Sequence, residues 1–123
     1  MAQAVPVMAG GQLLALALTL AVEAPIVLLA TARRRLTHFH ELAPLRRIAA
    51  AFVPSCLTHP LAYRAIGNYG THDYVAGLWL VESAVVLAEA VCLRWLLGGS
   101  FGMALLLSLL ANAASVCVGW ILW

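Results

Sequence analysis

Four long apolar runs, separated by short polar stretches, make up most of this chain. They cover about residues 13–31, 48–66, 74–97 and 103–123. A helix that crosses the hydrocarbon of a bilayer needs about 20 mostly apolar residues. The pattern therefore predicts an all-α protein, a four-helix transmembrane bundle forming one domain over residues 1–123. The second run is the weakest, because Pro54 and Pro60 interrupt it. The breaks are an Arg-rich stretch, the turn Gly67-Asn68-Tyr69-Gly70-Thr71-His72-Asp73, and Gly98-Gly99-Ser100. Connections this short predict antiparallel neighbours in up-down topology.

Composition supports the lipid environment. Hydrophobic residues make up 64% of the 123, against about 45–50% in an ordinary soluble protein. One domain of this size cannot hide so much apolar surface inside itself, so the bilayer is the expected partner. Lysine is absent, and Arg33, Arg34, Arg35, Arg46 and Arg47 fall in one stretch. Positive charge beside apolar runs marks the cytoplasmic side. Both termini are then expected outside, with Arg94 in agreement and Arg64 against. Trp95 would lie at the inner interface, and Tyr63, Tyr69, Tyr74, Trp120 and Trp123 at the outer one, as an aromatic belt requires. The bacterial inner membrane is the expected location. No positive n-region precedes the first run, so a cleaved signal peptide is not expected. No extended basic face exists outside the Arg stretch, so nucleic acid is not an expected partner.

Polar residues inside the runs carry the chemistry. Glu23, Glu82 and Glu89 are three of the five acidic residues, and His59 and Asn112 lie at similar depth. At a rise of about 1.5 Å per residue, Glu23 and Asn112 fall near mid-membrane and His59 and Glu82 slightly outward. Glu89 shares a helix face with Glu82, about 10 Å further in. Thr19 lies one turn before Glu23, and Ser108 and Ser115 flank Asn112. A carboxylate at the bilayer centre costs about 2.5–3.5 kcal/mol even on a lenient scale. With no Arg at matching depth, these acids must be protonated, bind a cation or face water.

Prolines add to this. Pro25 removes the backbone bond to the carbonyl of Ala21, Pro60 that to Cys56, and Pro54 that to Ala50. Carbonyls freed at mid-membrane are one way transporters hold cations; Thr58 or a neighbouring helix could instead satisfy a packing kink. Histidine changes charge near neutral pH, so His59 suits proton transfer or metal ligation. Glu23, His59, Glu82 and Glu89 would suit zinc, iron or manganese, although no span contains a His-x-x-x-His or Glu-x-x-His spacing.

The remaining features read more simply. Cys56, Cys92 and Cys117, odd in number and set in apolar sequence, read as small buried hydrophobes, with Cys56 sharing a face with His59. Ala111, Ser115 and Gly119, with Ala84 and Ala88, predict close packing of the third and fourth helices. His38, His40 and Glu41 read as solvated loop, and Asp73 as the cap opening the third helix.

Glu23-Ala24-Pro25, Thr58-His59-Pro60, the Glu82/Glu89 pair and Asn112-Ala113-Ala114-Ser115 together resemble a group of small four-span bacterial membrane proteins with no assigned activity. In size and span count the chain is also similar to small multidrug resistance transporters, which implies a working glutamate at Glu23. The residues around Glu23 differ from that family, and Glu82 and Glu89 would be surplus to it. Intramembrane glutamyl proteases share the Glu/His/Asn set, but their paired-glutamate motif is missing and the spans are too few.

The expected function is binding of a proton or cation by Glu23, His59, Glu82, Glu89 and Asn112, for ion- or proton-coupled transport, in a homo-oligomer or a larger membrane complex. One alternative is an intramembrane metalloenzyme using the same ligands. Another is a non-catalytic accessory subunit whose protonated acids bind helices together. No Gly-rich phosphate-binding loop is present to supply nucleotide hydrolysis.

Overall fold

The computed structural model describes residues 5–32 and 43–122. Among the described residues it is all-α, with four helices: α1 (Val5–Ala32), α2 (Pro44–Gly67), α3 (Tyr74–Leu97) and α4 (Phe101–Leu122). Arg33, Arg34, Arg35, His38, His40, Glu41 and Trp123 lie outside the described residues.

Three segments are long and apolar enough to cross a membrane: Gly10–Ala32 of α1, and all of α3 and α4. α2, expected from the sequence to be the weakest of four spans, is long enough but is not among them by composition. Its run is diluted by Arg46, Arg47, Ser55, Thr58, His59 and Arg64 as well as two internal prolines.

Local chemistry sets the helix ends. Pro44 occupies the first turn of α2, where a missing N–H costs nothing. Asp73 stands at the N-cap of α3 as expected, yet its side chain makes no capping bond. The α3–α4 connection is built on Gly98 and Gly99, at φ 75° and 70°, a region where a Cβ is penalised. Ser100 then caps α4, its Oγ accepting the Met103 N–H at 3.2 Å. Neither Pro25 nor the Pro54/Pro60 pair breaks its helix.

Each helix packs against its neighbours in the chain, and α4 closes back onto α1. Arg47 meets Thr31 while Ser55 meets Glu23, so α1 and α2 run antiparallel. At the end where α1 stops and α2 begins, Ala24, Val27, Ala50, Ala51, Leu93, Leu97, Ala104 and Leu107 form a buried apolar layer. Small side chains in five of these places, counting Val27, bring the backbones together, as in membrane helix packing.

The expected α3–α4 seam is corrected here. Ala84 and Ala88 are exposed, and a Cβ at Gly119 would meet nothing. Ala111 is buried as expected, and Ala90, Ala104 and Ser108 are small residues buried in place of the others. The cysteines also differ from expectation, since Cys56 and Cys117 are exposed and Cys92 is half-buried. Leu29, Leu80, Val91, Trp95 and Ile121 project from the outer surface. An apolar exterior on this scale is unlike that of a soluble monomer and matches a lipid-facing one.

Candidate functional site

Next to the apolar layer, the bundle holds a partly open polar cavity of about 180 Å³. All five residues singled out from the sequence line it: Glu23 from α1, His59 from α2, Glu82 and Glu89 from α3, and Asn112 from α4. Among the described residues, no Arg lines it.

Helical spacing explains how each wall is built. Thr19 and Glu23 are one turn apart on α1. Ser55, Thr58, His59 and Ala62 follow the i, i+3, i+4, i+7 pattern of a single face on α2. Glu82, Val85 and Glu89 form the α3 wall, and Asn112, Ser115 and Val116 the α4 wall. Although all four walls carry polar groups, they remain interior because the opposite faces of the same helices are apolar.

Glu23 and Glu89 are almost fully enclosed, at 3% and 4% exposure. The Ser55 hydroxyl donates to Glu23 Oε2 at 2.5 Å. Glu89 is held from two helices: Thr58 Oγ1 lies 2.7 Å from its Oε1, and Asn112 Nδ2 donates to its Oε2 at 2.6 Å. The Asn112 amide also reaches the Ser108 carbonyl at 2.9 Å. Asn112 therefore orients Glu89 by hydrogen bonding. Ser115 meets Thr19 at 3.5 Å, while Ser108 turns away to donate to the Val86 carbonyl.

Thr58 occupies a special position. Its single hydroxyl proton has two acceptors in reach, Glu89 Oε1 and the Pro54 carbonyl at 3.0 Å. With Glu89 ionised, Thr58 donates to it. With Glu89 protonated on Oε1, the acid donates to Thr58, whose own proton turns to Pro54. One hydroxyl thus serves both states by rotating.

His59 lines the cavity but is not tied into this network. Its Nε2 is buried with no hydrogen-bond partner among the described residues. Its ring lies 6.5 Å from that of Tyr63, tilted by 37°. Glu82 is half-buried, and the bonds that anchor Glu23 and Glu89 do not include it.

The proposed metal set shares the cavity but does not converge. Among the described residues, no three His, Cys, Asp or Glu side chains are placed to hold a metal ion. Seven residues along one helix separate Glu82 from Glu89 by about 10 Å, and hydroxyl and amide donors already occupy Glu23 and Glu89. Cys56, expected beside His59, points outward.

Ser55 is the site residue the sequence reading missed. Its helical spacing to Thr58, His59 and Ala62 was the available signal. At the end where α3 begins, the Tyr69 ring packs on the backbone of Gly77, where a Cβ would collide with it. At the opposite end, Arg47 caps α1, donating from Nη2 to the Leu28 carbonyl at 2.9 Å and from Nε to Thr31 Oγ1 at 3.2 Å.

No protein-family model, curated protein or solved structure matches this chain.

Proposed function

We propose that all four helices cross a bilayer and that the Glu/His/Asn site binds a proton or cation and couples it to transport. The observation that carries this reading is the convergence of Glu23, Glu82 and Glu89 on one cavity that no Arg lines among the described residues. Three unneutralised acids at depth are too costly to keep as idle packing. The cavity is also roomy enough for water, which such groups require.

Spanning by α2 is supported by its length and its neighbours. Its 24 residues equal those of α3 and reach about 36 Å, beyond the hydrocarbon thickness of about 30 Å. Its polar groups Ser55, Thr58 and His59 face the cavity, not lipid. Under this reading the Arg46/Arg47 end is cytoplasmic, both termini lie outside, and the location is a bacterial inner membrane. The working form is a homo-oligomer or part of a larger membrane complex.

Within the site, Glu82 exchanges protons or cations toward the outer side. Glu89 holds the inner position, with Thr58 following its protonation by rotation. The apolar layer of Ala24, Val27, Leu93 and Leu97 separates Glu89 from the Arg end. A proton or cation can pass only when that layer opens, which favours alternating access over an open channel. The metalloenzyme alternative lacks comparable support, since no three ligands converge among the described residues.

The test is reconstitution in liposomes with an internal pH-sensitive dye. Glu82→Gln and Glu89→Gln are expected to abolish proton-coupled flux while leaving the protein folded. Unchanged flux in both variants would leave protonated acids acting as interhelical hydrogen-bond donors, the accessory-subunit reading.

A further inference from the structure

The polar cavity shares a wall with a larger apolar groove of about 1030 Å³ between α3 and α4. Glu82 and Asn112 line both spaces. Trp79 and Trp120 flank the groove at 62% and 69% exposure, so it opens sideways from the bundle. Both polar groups on the shared wall can accept a hydrogen bond. Asn112 commits its nitrogen to the Glu89 carboxyl and the Ser108 carbonyl. Its Oδ1 accepts nothing among the described residues yet is not sealed in, so it opens on one of the two spaces. Glu82 is half-buried and stands outside the bonds that anchor Glu23 and Glu89.

We infer that this groove binds a neutral lipid alcohol, a long-chain or prenyl alcohol that enters from the bilayer and places its hydroxyl against Glu82 and Asn112. The inference rests on the proton-binding reading in one respect, that Glu82 changes protonation. A hydroxyl suits that change, because it donates to an ionised carboxyl and accepts from a protonated one by rotation alone. Thr58 plays the same part for Glu89. A cationic ligand would lose its partner whenever Glu82 is protonated. An ammonium is also far costlier than a hydroxyl to bring through hydrocarbon.

Depth and shape narrow the class. Glu82 lies eight residues beyond Tyr74, the first residue of α3, which puts it about 12 Å along the helix. A phospholipid keeps its headgroup at the interface and would bring only hydrocarbon to that level. The single hydroxyl of an alcohol can sink there, because two acceptors replace the water it leaves. Ser83 does not compete for them, since its own hydroxyl donates to the Trp79 carbonyl at 2.7 Å. Leu87, Leu109 and Ala113 give the rest of the groove an apolar lining for the chain.

The experiment follows alkylation of the groove-lining Cys117 by N-ethylmaleimide, in the full chain in lipid nanodiscs. The probes are geranylgeraniol, its methyl ether and geranylgeranylamine, which share one chain and differ only at its head. The alcohol is expected to slow alkylation saturably and at least fivefold, with Cys56, exposed outside the groove, unaffected. The ether leaves Asn112 without a donor and should need at least tenfold higher concentration, as should the amine. Glu82→Gln should keep most of the protection, because an amide also donates and accepts, whereas Glu82→Leu should lose it. Ala113→Trp, which fills the groove, should lose it too.

Equal protection by alcohol and ether, stronger protection by the amine, or no protection at all would overturn the inference. The occupant would then be a phospholipid chain, a cation or a second copy. These comparisons use the unaltered chain, so a misfolded variant does not affect them. Absence of protection by the alcohol alongside Glu89-dependent proton flux would remove the ligand alone. Protection by the alcohol without such flux would keep the ligand and remove the transport reading.

Discussion

Asn112 and Glu89 lie 2.6 Å apart, amide nitrogen to carboxyl oxygen, across the α3–α4 interface. The Asn112 side chain is buried and also satisfies the Ser108 carbonyl, so it has no freedom to swing away. It therefore fixes where the Glu89 carboxyl sits relative to Thr58 on α2.

Asn112→Ala removes that anchor. Interhelical polar contacts in membranes are worth about 0.6 kcal/mol on average and up to about 1.7. The expected loss lies in the upper part of that range, because Glu89 is left enclosed with one donor fewer. Reversible unfolding in detergent, compared with wild type, measures it. Stability equal to wild type would show that the bond contributes nothing.

Thr58→Val keeps the shape of the side chain but removes the rotating hydroxyl. Proton-coupled flux is expected to fall at least tenfold, whereas Thr58→Ser should retain most of it. Equal loss in both variants would point to packing instead of hydroxyl chemistry.

Arg47 ties the start of α2 to the end of α1 through two donors at fixed angles. Hydrogen bonds from a charged donor contribute about 1.5–3 kcal/mol, so Arg47→Ala should destabilise the bundle by about that much. Arg47→Lys keeps the favourable charge near a helix C-terminus but loses the forked geometry, and should fall between. Amide hydrogen exchange around Leu28 and Thr31 should quicken in the same order.

Gly77→Ala should destabilise the end of the bundle where α3 begins, because the new methyl meets the Tyr69 ring. In a Tyr69→Ala background the same change should become neutral or stabilising, since alanine is the better helix former by about 1 kcal/mol. Thermal melts of the four proteins form the cycle. A penalty that persists without Tyr69 would place the constraint elsewhere.

Much of the site was legible because polar depth is a property of one dimension. Each of Glu23, His59, Glu82, Glu89 and Asn112 stands out against apolar neighbours, and lipid makes such residues costly on any face but the interior. Ser55 was less visible, since a serine in an apolar helix is cheap and carries no comparable signal. Spacing rules were weaker guides where they concerned mutual approach. Ala84 and Ala88 have the small-residue spacing of a helix contact, yet face outward.

Run length, composition and the placement of glycine and proline determined the helices and their apolar character, because local backbone chemistry and lipid solvation act on contiguous residues. The tertiary structure alone decided that Ser55 holds Glu23, that Thr58 and Asn112 converge on Glu89, and that Glu82 stands between a polar chamber and an apolar groove. Those pairings depend on how each helix is rotated and slid against its neighbours. Rotation and register come from packing four surfaces at once, which no single run encodes.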